Sequence, residues 1–249
     1  MWPNKLLLLF LILPALAQAS VPRVNGSTGI FISGGAGSPT VATGSFSVSA
    51  GNLLVCNVQY YSVTAIASLS DTGGDIFSQV ASNNAGIWAG TAQQWYAKNT
   101  ALAGSEIVIL TLSFNVGYLW INCSQYSGAD TVNPLDASAV GSNTSQACGA
   151  NAMTTGTFST SFANEVIVAG FAIQFTTSTP DVGTGYTLEQ STSDYTLWQE
   201  DQQVSSLQSG IAATFGTSTC NFYYGIVGTY KQAGSIPTTS VKHHVRIDN

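Results

Sequence analysis

The sequence predicts an all-β protein, an antiparallel β-sandwich of the jelly-roll kind built from two similar halves. Short runs rich in β-branched and aromatic residues alternate with turn signals such as Asp-Thr-Gly-Gly, Asn-Asn and Pro-Asp-Val-Gly. No window keeps an apolar stripe at helical spacing over the length of a helix. Many short strands at close spacing are typical of a sandwich or barrel.

The two halves are visible as an internal duplication. Residues 44–55, GSFSVSAGNLLV, recur as residues 156–167, GTFSTSFANEVI. The shared Gly, Phe, Ser and Asn positions align Leu54 and Val55 with Val166 and Ile167. Such a repeat is much longer than the roughly 20–50 residues of a solenoid unit.

The halves also end alike, with YLWINCSQYSG at residues 118–128 and FYYGIVGTYKQ at residues 222–232. We expect one sandwich domain over residues 44–231, with halves 44–128 and 156–231. A single half would have few strands and two open sheet edges, so the halves are expected to share one sandwich.

The N-terminus has the pattern of a secretory signal over residues 1–19. Lys5 precedes an apolar run, and Ala17-Gln18-Ala19 forms an A-x-A cleavage site. The run is shorter than the about 20 residues of a membrane span. The sequence therefore predicts a secreted or periplasmic protein, cleaved near Ala19, without a membrane span.

Two segments flank the predicted domain, and the composition changes after Lys231. Residues 20–43 are expected to be a lead-in with a strand. Residues 232–249 are expected to be a linker followed by a basic tail, VKHHVRIDN. Val241, Val245 and Ile247 lie on one face if the tail is extended, so it can add to a sheet edge of another copy.

The charge excludes one class of partner. Charged residues make up only 7% of the chain, which has six basic and twelve acidic residues and a net charge of −6. An acidic chain repels nucleic-acid phosphates, so no nucleic-acid partner is expected.

Four cysteines, Cys56, Cys123, Cys148 and Cys220, indicate two disulfides in an exported protein. Three connectivities are possible. We favour Cys56–Cys123 within the first half and Cys148–Cys220 joining the two halves. No C-x-x-C pair is present, so a zinc site is not predicted.

The middle of the chain carries a family resemblance. The segment YSGADTVNPLD, residues 126–136, together with GNLLV at 51–55 and WYAKN at 95–99, resembles a group of secreted β-sandwich modules from environmental bacteria and some phages. The resemblance implies a jelly-roll or immunoglobulin-like fold and no particular activity. The four cysteines depart from that pattern. Within the motif, Pro134 is expected to end a connection and Asp136 to cap a turn.

The chain lacks the residues that most catalytic mechanisms require. The histidines, His243 and His244, both lie in the tail, so histidine-based nucleophilic catalysis is not expected. No cofactor or metal is predicted. Asp71 and Asp75 allow a calcium site, but two acids in a Gly-rich hairpin are more often a turn.

Hydrolysis of a glycan by paired carboxylates is the remaining enzymatic hypothesis, and it needs two acids at suitable separation. The candidates are Glu189, Asp194, Glu200 and Asp201. Glu200 and Asp201 are neighbours in a strand and face opposite sides, so one of them is expected to pair with Glu189 across a hairpin.

Carbohydrate binding needs exposed aromatic faces, for which we select Trp88, Tyr195 and Trp198. Trp88 lies in a Gly-bounded loop, NNAGIWAG at 83–90, where the first half carries extra length. The sequence thus favours a secreted, non-catalytic module that binds polysaccharide or cell-surface glycan. The alternatives are a self-assembling coat or filament subunit, associating through sheet edges or the tail, and a glycan hydrolase.

Overall fold

A computed structural model describes residues 20–32, 37–84, 90–143, 145–174, 179–194 and 196–237. Within these ranges the chain forms eighteen β-strands and no helix, so the all-β, antiparallel prediction is confirmed. The expected signal at 1–19 and the tail at 241–249 lie outside the described residues.

Ten strands form the first half of the molecule. They are β1 (Arg23–Ile32), β2 (Ser38–Ala42), β3 (Phe46–Val48), β4 (Leu53–Tyr60), β5 (Ala67–Asp71), β6 (Phe77–Asn83), β7 (Thr91–Ala97), β8 (Ala103–Glu106), β9 (Val108–Val116) and β10 (Tyr118–Tyr126). An inner sheet has the order β1-β10-β4-β7-β6, and an outer layer consists of β2-β9-β5 and β3-β8.

Eight strands form the second half. They are β11 (Leu135–Ser142), β12 (Ala147–Thr154), β13 (Glu165–Ile173), β14 (Pro180–Val182), β15 (Thr187–Ser191), β16 (Leu197–Val204), β17 (Thr214–Asn221) and β18 (Tyr223–Lys231). Its inner sheet has the order β11-β18-β13-β16-β15, and its outer sheet has the order β12-β17-β14. A bridge between Phe158 and Ile211 stands where the first half has β3 and β8. The strand order of the two halves therefore agrees position by position, while their superposition stays a prediction.

Each half is a sandwich with its own core. In the first half, buried residues such as Val41, Cys56, Leu110 and Ile121 pack between the inner and outer layers. In the second half, Phe171, Trp198 and Phe215 belong to the corresponding core. The structure thus has one sandwich in each half, whereas the sequence predicted a single sandwich shared by both. The segments 20–43 and 135–154 complete each half, because β1 and β11 extend the inner sheets and β2 and β12 extend the outer layers.

The two inner sheets pack face to face along an interface that we call the seam. β6 lies on β11 and β18 of the other half, and β15 lies on β1 and β10 in the same way. Two apolar clusters fill the seam, one around Tyr126 and Tyr230 and one around Trp120 and Tyr224. Because both faces of the inner sheets are covered, every residue of β4 and β13 is buried.

The seam corrects the alignment of the two halves by one residue. Tyr126 is opposite Leu53 on the neighbouring strand, and Tyr230 is opposite Val166. Leu53 and Val166 both face the seam, whereas Leu54 faces the first core. The counterpart of Val166 is thus Leu53 rather than Leu54, because the second half has one additional residue, Glu165, before its strand continues.

Buried amides join the halves across the centre of the seam. Gln199 donates through Nε2 to the Tyr126 hydroxyl at 3.0 Å, and the Tyr230 hydroxyl donates to Gln94 Oε1 at 3.2 Å. Asn57 links them, accepting from Gln94 Nε2 at 3.0 Å and donating to Gln199 Oε1 at 3.1 Å. Each tyrosine of one half thus meets a glutamine of the other, as in the two-fold interface of a homodimer.

Two glycines make room for these amides. A Cβ atom on Gly170 would lie 2.2 Å from Asn57 Oδ1, and one on Gly228 would lie 2.5 Å from Gln94 Oε1. Both distances are far below van der Waals contact, so the close approach of the sheets at this point requires the absence of a side chain.

The disulfides pair as predicted, Cys56 with Cys123 and Cys148 with Cys220. The first links neighbouring strands β4 and β10 and is fully buried. The second links β12 and β17, and both of its cysteines are exposed. It does not join the two halves as expected, because the strand that carries Cys148 belongs to the outer sheet of the second half.

Candidate functional site

An aromatic group lies at one end of the seam and comes from the first half. Tyr61 follows β4, while Tyr118 and Trp120 belong to β10. The ring centroids of Tyr61 are 4.9 Å from Tyr118 and 5.5 Å from Trp120, and the rings of Tyr118 and Trp120 are stacked at 5.9 Å. Trp120 is buried and the two tyrosines are half-buried. The tyrosine rings therefore expose part of their aromatic surface while they pack on the buried Trp120 ring.

The second half contributes a carboxylate to this group. Trp120 Nε1 donates to Asp194 Oδ2 at 2.7 Å, so the turn between β15 and β16 is tied to β10 of the other half. The other oxygen of Asp194 accepts from the Thr192 hydroxyl at 2.8 Å and from the Thr196 amide at 3.3 Å. The site is therefore composite, with tyrosines from one half and a positioned acid from the other.

Burial controls the protonation of the half-buried Tyr61. Burial, together with Tyr118 and the charge of Asp194, raises the pKa of Tyr61 well above its ordinary value of 10. Its hydroxyl therefore keeps its proton at any physiological pH. The hydroxyl is itself buried, so the part of this group that suits a sugar ring is the flat apolar face of the aromatic rings.

The three predicted ligand contacts have different outcomes. Trp88 and Tyr195 lie outside the described residues. Trp198 has no exposed surface and packs on Phe215 at 4.4 Å between ring centroids, inside the second core. A side chain so enclosed cannot stack on a ligand, which corrects that prediction. Its strand alternates faces, and Trp198 falls on the core side.

Of the four predicted acids, the structure brings Glu189 and Asp201 together. Glu200 and Asp201 face opposite sides of β16, as expected, and Asp201 lies on the seam. Burial, followed by the charge of Glu189, raises the pKa of Asp201 to about 7. Glu189 is itself paired with Arg23 of the first half, whose Nε lies 2.9 Å from Oε2.

The other two acids have separate surroundings. Glu200 is fully buried in the second half and accepts the Gly183 amide at 2.9 Å. Burial raises the pKa of Glu200 to about 8. Asp194 lies in the aromatic group at a turn. The four acids do not form one catalytic cluster, because adjacent strand residues diverge and the turn residue is held by Trp120.

The Asp71–Asp75 segment forms a hydrogen-bonded turn. Asp71 Oδ1 accepts the amides of Gly74 at 2.6 Å and Asp75 at 2.8 Å, and Asp75 Oδ1 accepts the Ala101 amide at 2.9 Å. Across the described ranges, no three His, Cys, Asp or Glu side chains are grouped so that they would hold a metal ion. Asp136 was expected to cap a turn, but it lies in β11 and accepts the amide of the distant Ser161 at 2.6 Å.

Sequence reasoning missed the residues that define the aromatic group. Tyr61 ends an alternating apolar strand and Tyr118 begins another, so both look like ordinary strand termini. What distinguishes them is their position at one end of a buried interface. The sequence does not show this position, because it depends on pairing between strands that are far apart in the chain.

Comparison with known proteins adds no assignment, since no protein-family model, curated protein or solved structure matches the chain. In the part of the chain that the structure describes, no helix has the length and apolar character of a membrane span.

Proposed function

We propose that the protein is an extracellular, non-catalytic module that binds carbohydrate at the aromatic end of the seam. The observation that carries this proposal is the half-buried pair Tyr61 and Tyr118 beside Asp194, at a point where both halves meet. Half-buried aromatic rings on a rigid sheet lose little conformational entropy when a sugar stacks on them.

A glycan array followed by calorimetry tests the proposal. The full chain is expected to bind a glycan, and Tyr118→Ala and Tyr61→Ala are each expected to abolish that binding while the protein stays folded. Phe114→Ala is the matched control, because Phe114 is an exposed aromatic residue on the outer sheet, 45% accessible, away from the seam. Binding that survives both tyrosine substitutions contradicts the location, and absence of binding to any glycan contradicts the function.

Self-assembly is a second candidate, supported by an exposed apolar pair. Ile76 and Leu102 are 85% and 78% accessible. The contact between Asp75 and the Ala101 amide places them near each other. Exposed apolar side chains grouped together are typical of association surfaces. Light scattering across a range of protein concentrations distinguishes this role, because an assembling subunit is expected to grow in mass and Ile76→Ser is expected to reduce that growth.

The pair of Glu189 and Asp201 supports hydrolysis as a third candidate. Burial raises the pKa of both carboxyl groups, and only Glu189 is in an ion pair, with Arg23. Two carboxyls with unlike environments resemble the acid and the nucleophile of glycosidases. Product release from a glycan panel tests this role, and activity that survives Asp201→Asn contradicts it.

A further inference from the structure

Three carboxyl groups of the second half are buried outside the ion pairs of the described residues. Glu165 is 1% accessible, Glu200 is 0% and Asp201 is 6%. The described residues contain two ion pairs, Arg23 with Glu189 and Lys231 with Asp130, and neither includes any of the three. An ionised carboxylate so placed is strongly penalised, whereas the neutral acid is not.

The surroundings of Glu200 offer one compensating donor. Oε2 accepts the Gly183 amide, while Oε1 has no hydrogen-bond partner. Tyr186 and Asp201 are the other titratable groups near it, and Asp201 adds repulsion rather than attraction. Apart from the Gly183 amide, no group that the described residues place against this side chain favours its negative charge.

Glu165 stands next to another acid. Asp136 of β11 lies beside it, and that neighbour and Thr229 both interact with its carboxyl group. Lys231 is opposite Glu165 in register, but its ammonium lies 3.6 Å from Asp130 and 4.6 Å above the Phe162 ring. Two neighbouring carboxyl groups repel each other when both are ionised, so the pair is more stable when one of them is protonated.

Asp201 faces Tyr126 of β10, Glu189 of β15 and Arg23 of β1. The only cation in this group is already in contact with Glu189. Asp201 Oδ2 is buried and has no hydrogen-bond partner. As in the other two places, the neutral acid fits the site better than the anion.

We propose that the protein is adapted to an acidic environment, in which these three buried carboxyls carry their protons, and that its fold weakens as the medium approaches neutrality. This inference is independent of the ligand. It agrees with the direction in which burial shifts the pKa of these groups, since burial raises the pKa of Glu165 and Glu200 to about 8 and that of Asp201 to about 7.

The sign of the effect follows from linkage. A carboxyl whose pKa is higher in the folded state holds its proton more tightly there than in the unfolded chain. In the unfolded chain the pKa of Asp and Glu is about 4. Its stabilising contribution is complete below that value and is lost as the pH rises towards the folded pKa. Between about pH 5 and 7, each such group raises the unfolding equilibrium constant by up to about tenfold per pH unit.

Urea unfolding of the full chain between pH 4.5 and 8 tests the proposal. The midpoint is expected to fall steadily as the pH rises. Glu200→Gln, Glu165→Gln and Asp201→Asn are each expected to flatten the profile. Each substitution should remove a rise in the unfolding equilibrium constant of up to about tenfold per pH unit. Asp181→Asn is the control, because Asp181 is exposed on β14 and its substitution is expected to leave the profile unchanged.

A wild-type midpoint that is constant or highest near neutral pH overturns the proposal without any variant. A falling profile that none of the three variants flattens also overturns it, because the proton uptake would then belong to other groups. If one variant does not fold, the remaining two still decide the assignment.

Discussion

Tyrosine and glutamine side chains at the centre of the seam show how single residues hold the halves together. Burial raises the pKa of both Tyr126 and Tyr230 well above 10, so both hydroxyls keep their protons. Each makes a hydrogen bond to a glutamine on the opposite sheet. Because water does not reach these groups, loss of one partner leaves the other buried and unsatisfied.

Removing either hydroxyl is therefore expected to be costly. Tyr126→Phe and Tyr230→Phe should each lower the free energy of unfolding by about 1–3 kcal/mol, the penalty of an unsatisfied buried amide. Tyr186→Phe is the matched control, because the Tyr186 hydroxyl is buried without a hydrogen-bond partner. Chemical denaturation measures all three, and equal losses for the control and the seam variants would contradict the role of the hydrogen bonds.

Residue-level prediction succeeded where chemistry is local and failed where it depends on sheet packing. The opposite orientation of Glu200 and Asp201 follows from the strand pattern, and the favoured cysteine pairing is the one that forms. The burial of Trp198 and the partial exposure of the Tyr61 ring do not, because an aromatic residue in or beside an alternating strand fits a core or a surface equally well. Which face is covered depends on the partner sheet, and the sequence does not display that sheet.

At the scale of the strand, the duplication predicted equivalent elements but misplaced them by one residue. The sequence aligns Leu54 with Val166 through the shared Gly, Phe and Asn positions. In the structure the equivalent of Val166 is Leu53, since both face the seam. A shift of one residue exchanges the two faces of a strand. The stretches 53–56 and 166–169 are both continuously apolar, so neither contains a polar residue that would reveal the shift.

The close approach of β4 and β13 gives a prediction about glycine. Gly170→Ala should lower the free energy of unfolding by about 1–3 kcal/mol, because its methyl group would displace the Asn57 side chain. Gly104→Ala serves as the comparison, since a Cβ there meets no atom within 4 Å. Thermal unfolding of both variants measures the difference, and an unaffected Gly170→Ala would show that the sheets have room to separate.

The two disulfides should differ in their response to a reductant. Cys56 and Cys123 are fully buried, whereas Cys148 and Cys220 are exposed. Because exchange requires access of the attacking thiolate, mild reduction of the native protein should open the second bond first. Alkylation and peptide mapping identify the modified cysteines, and early labelling at Cys56 would contradict the order.

The whole molecule is a doubled sandwich whose existence was only partly visible in the sequence. The all-β class and the pairing of two halves were predictable from turn spacing and duplication. The complete set of strands in each half was not, because β1, β11 and β12 are rich in Gly, Ser, Thr and Ala and lack the apolar alternation of the central strands. Such outer and edge strands are defined by the sheet that they join rather than by their own pattern.

The seam makes a final prediction about cooperativity. Two of the four buried clusters contain residues of both halves, and amide hydrogen bonds cross between them. Separation of the halves would expose both clusters, so the full chain should unfold in one transition. In calorimetry the van't Hoff and calorimetric enthalpies are expected to be equal. If the halves unfolded independently, the van't Hoff enthalpy would be about one half of the calorimetric enthalpy. Two resolved transitions in the wild type would show that the seam is weaker than its burial indicates, and Gly170→Ala is the variant in which a second transition should first appear.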